Sequence, residues 1–148
     1  MLPLLLKSLF LIKMDLNLSI AGTLLILLAA AHTVFPRYFN WSKELSALSL
    51  VNRQMMYIHT FFIALVLLLM GLLCLTSATQ IVTTTLGHRL LLGLGIFWTI
   101  RLIIQFFGYS PHIWKGKRLE TSIHILFVVL WCYFSASFFY LYFNTAAR

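Results

Sequence analysis

Apolar positions in this chain neither alternate with polar ones nor return only every third or fourth residue; they run on without interruption. Four stretches are continuously apolar, over about residues 16–35, 55–75, 88–108 and 122–143, and the second of them has no polar side chain from Phe61 to Met70. A bilayer core about 30 Å thick needs about 20 mostly apolar residues of helix to cross it, which is the length of each stretch. Lipid offers no partner to open backbone groups, so helices are expected. A β-barrel would instead alternate apolar and polar residues over about ten positions. The connections, at about 36–54, 76–87 and 109–121, are too short to be separate domains. The pattern therefore predicts an all-α integral membrane four-helix bundle with short loops, one transmembrane domain over 1–148. In the first loop, Trp41, Leu45 and Leu48 fall on one helical face with Lys43 and Glu44 on another. That spacing predicts a short amphipathic helix lying at the interface, anchored by Trp41.

Composition narrows the class further. Only 9% of residues are charged and 61% are hydrophobic, against about 25% charged in a soluble domain. A soluble fold is excluded, and so is disorder, which needs low hydrophobicity. Eleven Lys and Arg against three acids give +8, but a nucleic-acid footprint needs a polar surface to carry it. The partners expected are therefore the lipid bilayer and a membrane partner protein or second copy of the chain, and no nucleic acid. Arg37, Lys43, Arg53, Lys115, Lys117 and Arg118 lie in the first and third loops, against Lys7, Lys13, Arg89 and Arg148 on the other side. This bias places the first and third loops in the cytoplasm and both termini outside. It would sharpen if translation began at Met14, just before the first span. The alternative is that residues 1–13 form a short interfacial helix from which Lys7 and Lys13 snorkel. Cys74 and Cys132 lie at depths that differ by about 10 Å or more, too far apart for a disulfide, and read as small apolar fillers.

The ionisable residues inside the spans are the most informative. His32 lies about 6 Å inside the first-loop end of the first span, and His59 at a similar depth in the second. His124 is two or three residues inside the third-loop end of the fourth span, and Arg101 is about 10 Å from that end of the third. Each span thus brings one such side chain to the same leaflet; His88 alone sits opposite. Arginine deep in a span costs about 2.5–3.5 kcal/mol on insertion scales, so Arg101 is expected to face the bundle interior or to snorkel to lipid phosphate. Gln105 at i+4 and Trp98 at i−3 share its face. Arg101 as a fork, Gln105 as a second donor and Trp98 as a wall form a candidate anion site. Along the fourth span, His124, Val128, Trp131, Ser135 and Tyr142 follow one stripe. Along the second, Asn52, Met56, His59, Ile63 and Val66 do the same. Gly22 and Ala29–Ala31 offer small residues for close contact. Stripes of this kind serve packing as readily as a cofactor.

Imidazole is the commonest metal ligand, and bundle sites are assembled between helices. No local metal motif is present, and the only carboxylates, Asp15, Glu44 and Glu120, fall outside the expected spans. A cation carrier or proton relay normally uses an intramembrane acid, so an anionic ligand fits better. The run Phe35-Pro36-Arg37-Tyr38-Phe39 closing the first span is similar to the Leu-Pro-Arg-aromatic run of small bacterial haem-associated membrane proteins of the CopD and HemJ kind. The hydropathy layout is similar too. His32 is nearer that run than the family histidine, and His88-Arg89 stands where a lysine is usual. The resemblance implies haem b binding and a porphyrin oxidation, with Arg37 the residue that carries over, and a bacterial inner-membrane location is expected. On a haem- or metal-binding reading, His32 and His59 would be ligands and Arg101 or Arg37 would pair propionates, with His124 also available. Three functions follow: a non-enzymatic membrane protein whose polar layer holds an anionic ligand, lipid headgroup or partner helix; a haem- or metal-binding redox protein; or a lipid-modifying enzyme with His59 as base.

Overall fold

The computed structural model describes residues 2–110, 112 and 114–146. Among these the chain is helical throughout: α1 Leu2–Tyr38, α2 Trp41–Glu44, α3 Leu50–Thr76, α4 Ala78–Thr83, α5 Thr85–Phe107 and α6 Arg118–Ala146. The four long helices match the four expected spans, and each is long and apolar enough to cross a membrane. Large apolar side chains stand exposed on them, including Leu27, Phe62, Ile103 and Val129. In water such a surface would be untenable; in a bilayer it is simply the lipid face.

Three boundaries differ from the sequence expectation. Pro36 does not stop the first helix, which continues to Tyr38, with Phe39 N–H bonding the Phe35 carbonyl at 2.9 Å. Pro36 removes its own N–H, yet the turn that follows can still bond. Residues 2–13 are not a separate interfacial helix but the start of α1, whose 37 residues run about 55 Å, well beyond a bilayer core. No Gly or Pro separates the two parts, and Lys13 interrupts the hydropathy without breaking the helix. Asp15 therefore sits inside α1 rather than ahead of it, with one carboxylate oxygen buried and unpaired. The Lys7 side chain and Arg148 lie outside the described residues. In the first loop the interfacial helix shrinks to the four residues of α2, ahead of a turn and the Ser49 cap of α3. Trp41 is half-buried and meets the Tyr57 ring edge-on at 5.3 Å, while Leu48 is exposed.

The helices pack as two pairs. In the first, within Ser8–Ala78, α1 crosses α3 at two glycines. A Cβ on Gly22 would lie 2.8 Å from the Gly71 carbonyl oxygen, and one on Gly71 would lie 2.7 Å from Ile26 Cγ1. The buried face of α3 is Leu67, Gly71 and Cys74, with Thr60 and Ala64 half-buried. The stripe expected to pack, Asn52, Met56, His59, Ile63 and Val66, is exposed along its whole length. Both faces of this helix are apolar, so hydropathy does not choose between them; the small residues mark the seam. The cysteines are free, Cys74 buried and Cys132 exposed, so only the first is a filler.

The second pair begins at Thr79. Here α5 and α6 pack along Leu91, Leu94 and Trp98 on one side and Trp131, Phe134, Phe138 and Leu141 on the other, all at most 9% exposed. α4, in the second loop, has no counterpart in the sequence reading. It folds onto the start of α5, where Thr84 caps the Gly87 N–H. A Cβ at Gly87 would collide with the Ile81 carbonyl oxygen. Gly87→Ala is therefore expected to force this turn open and lower stability by about 2 kcal/mol or more. Denaturant unfolding in detergent, followed by circular dichroism, would measure it; an unchanged midpoint would contradict the contact.

Candidate functional site

The second pair carries a polar chain that joins three of the residues expected to share a site. Arg101 Nη1 donates to Gln105 Oε1 at 3.1 Å, and Trp131 Nε1 donates to the same oxygen at 3.2 Å. Gln105 Nε2 lies 2.9 Å from His124 Nδ1. The amide has one orientation that works. Guanidinium and indole can only donate, so the oxygen must face them and the amide nitrogen must face the histidine. His124 Nδ1 is thereby an acceptor, and the ring proton belongs on Nε2. Gln105 is 6% exposed and in this arrangement has each of its polar atoms matched.

Aromatic rings enclose this chain. The Arg101 guanidinium carbon stands 4.8 Å from the Trp131 ring centre and 5.7 Å from that of Tyr109. Trp98 stacks on Trp131, centroids 5.0 Å apart, and its buried indole N–H has no partner. Trp114 lies flat on His124 at 4.0 Å and is tied down through its carbonyl by the Thr121 hydroxyl at 2.8 Å. Cation–π contacts contribute about 0.5–2 kcal/mol each. With a charge-assisted hydrogen bond of about 1.5–3 kcal/mol, they match the cost of placing an arginine this deep. The charge is therefore tolerable here without a carboxylate, and its partners are neutral.

The direction of the side chain matters most. Gln105 and Tyr109 lie one and two turns beyond Arg101 toward the third loop, so the guanidinium is directed along α5 toward that end while still lying over the Trp131 ring. Exposed Lys115 and Lys117 follow in that loop, and exposed Arg118 opens α6. The α6 stripe His124, Val128, Trp131, Ser135 and Tyr142 is half-buried or buried, as its spacing implies. Trp98 is one layer further in than expected: the wall under Arg101 is Trp131. Tyr109 and Trp114 were not legible as site residues, because loop residues follow no helical period; an aromatic next to a helix end was the one available signal. At the other end of the pair, His88 stacks on Tyr142 at 4.1 Å and meets Thr145 Oγ1 at 3.0 Å.

The remaining candidates belong to the first pair. His32 is half-buried, and its Nδ1 bonds the Leu28 carbonyl at 2.7 Å. It lines a groove of about 150 Å³ with Thr33, Pro36, Tyr57, Thr60, Phe61 and Ala64. His59 and Arg37 are exposed and do not line it. Among the described residues, no three of His, Cys, Asp and Glu come together as a metal site. The volume of the groove is close to that which holds one six-membered ring. Compared with protein families, curated proteins and solved structures, the chain matches none.

Proposed function

We propose that this is a membrane-embedded binding protein that holds the phosphate of a lipid headgroup at Arg101. The observation that carries the reading is the setting of the Arg101 guanidinium, bonded to Gln105, over the Trp131 ring and 5.7 Å from the ring of Tyr109 just past the end of α5. A guanidinium directed toward the third-loop end, with one hydrogen bond made by its fork and a basic loop beyond whose field favours anionic lipid, supports capture of a headgroup phosphate. Gln105 steers the fork, Trp131 shields one face, and the Nε2–H of His124 is a further donor in the same chain of contacts. On the topology read from the basic loops, the lipid would come from the cytoplasmic leaflet.

Native mass spectrometry of the detergent-solubilised chain titrated with short-chain phosphatidylglycerol tests this. Removing one set of charge-assisted hydrogen bonds loses about 1.5–3 kcal/mol, and about 1.4 kcal/mol is tenfold in affinity. Arg101→Gln is therefore expected to weaken lipid retention roughly tenfold or more. Equal retention by the variant would overturn the proposal.

A further inference from the structure

We propose that the groove between α1 and α3 is a second, separate site that takes a hydroxyl-bearing six-membered ring, the head of a phenol- or hydroquinone-type membrane lipid. The helices meet at Gly22 and Gly71, where their backbones approach too closely for any side chain. Ten residues along each, at His32 on α1 and Phe61 on α3, they have parted enough to leave about 150 Å³. An apolar cavity of about that volume holds benzene, so the space suits one ring and little more. Its walls are also those of a ring site: Pro36, Phe61 and Tyr57 are flat, and Ala64 is small.

The polar atoms choose the substituent. His32 Nδ1 faces a backbone carbonyl, which can only accept, so Nδ1 carries the proton. With Nδ1 so engaged, Nε2 is the polar ring atom left for a ligand, and in the Nδ1–H tautomer it carries a lone pair that a donor matches. A hydroxyl does so; a quinone carbonyl or an ether does not. The Thr33 hydroxyl is spent on the Ala30 carbonyl at 2.7 Å, which leaves those of Thr60 and Tyr57 for a second oxygen on the ring. The groove is open on one side, so a lipid tail can leave it without entering the seam. Binding alone is proposed, with no electron transfer.

The test uses the full chain in nanodiscs under anaerobic, reducing conditions, with decylhydroquinone as probe and its dimethyl ether as control. Saturable binding of the hydroquinone is expected, with the ether at least tenfold weaker. His32→Phe, which keeps the ring shape and removes the acceptor, should weaken hydroquinone binding to the level of the ether. Arg101→Gln should leave it unchanged, which separates this site from the headgroup site. Absence of binding, equal binding of hydroquinone and ether to the unaltered chain, or full binding by His32→Phe would each overturn the proposal. The ether comparison needs no variant, so it holds even if His32→Phe misfolds.

Discussion

Gln105→Glu is expected to abolish lipid-phosphate capture at Arg101 while leaving the α5–α6 pair folded. The two side chains are nearly the same shape, and a carboxylate oxygen can accept from Arg101 and Trp131 as the amide oxygen does. The new charge, however, neutralises the guanidinium from within the site. An incoming phosphate must then compete with a carboxylate already in place, and retention should fall by about tenfold or more, matching Arg101→Gln. The exchange has a second signature. The atom facing His124 Nδ1 changes from a donor to an acceptor, so that contact survives only if the ring becomes the donor. Nitrogen-15 NMR of histidine reads this directly: Nδ1 should be an unprotonated acceptor in the parent chain and not in the variant. Gln105→Leu separates charge from structure. It strands a buried indole N–H, an arginine donor and an imidazole acceptor together, and should cost about 2–4 kcal/mol of stability. If Glu and Leu had the same effect on lipid retention and on stability, the amide would be a packing element and the electrostatic reading would fail.

The sequence disclosed this site unevenly, and the reasons are physical. Trp98, Arg101 and Gln105 could be placed on one face because helical spacing in α5 is strict, and His124 and Trp131 could be placed on one stripe of α6 for the same reason. That the two faces meet through a single amide was not legible, because spacing says nothing about how two helices are rotated against each other. In α3 the same limit produced an error. One apolar face is as hydrophobic as the other, so spacing singled out the stripe through His59 and not the one through Thr60, one residue away. Only the latter packs, because Ala64, Gly71 and Cys74 are small enough to admit α1. The four spans themselves were legible throughout, since lipid permits only helices or closed barrels and unbroken apolar runs do not suit a barrel. Their ends were not: a lysine or a proline weakens the hydropathy signal without ending the helix, as Lys13 and Pro36 show in α1.

The Gly22–Gly71 crossing yields the other large expected effect. Gly71→Val places a branched side chain where even a Cβ would meet the Gly22 carbonyl oxygen at 2.8 Å and Ile26 Cγ1 at 2.7 Å. A side chain can rotate away from such a contact, but the backbone carbonyl cannot, so α1 and α3 must separate. Overpacking of this kind typically costs about 1–3 kcal/mol, and more where backbone is the obstacle. Cys74 reports the separation. It is fully buried, and it adjoins the crossing, 3.1 Å from the place a Gly22 Cβ would occupy. In detergent, with Cys132 replaced by serine to remove the exposed thiol, a small maleimide should label Cys74 at least tenfold faster in Gly71→Val than in the parent. Gly93→Ala is the matched control: a Cβ there meets nothing within 4 Å, and alanine suits a helix interior better than glycine by about 0.5–1 kcal/mol. It should leave Cys74 protected and the fold no weaker. Protection of Cys74 unchanged in Gly71→Val would show that the helices do not meet at these glycines. Because the groove at His32 exists only where the helices part from that crossing, the ring site would lose its footing with it.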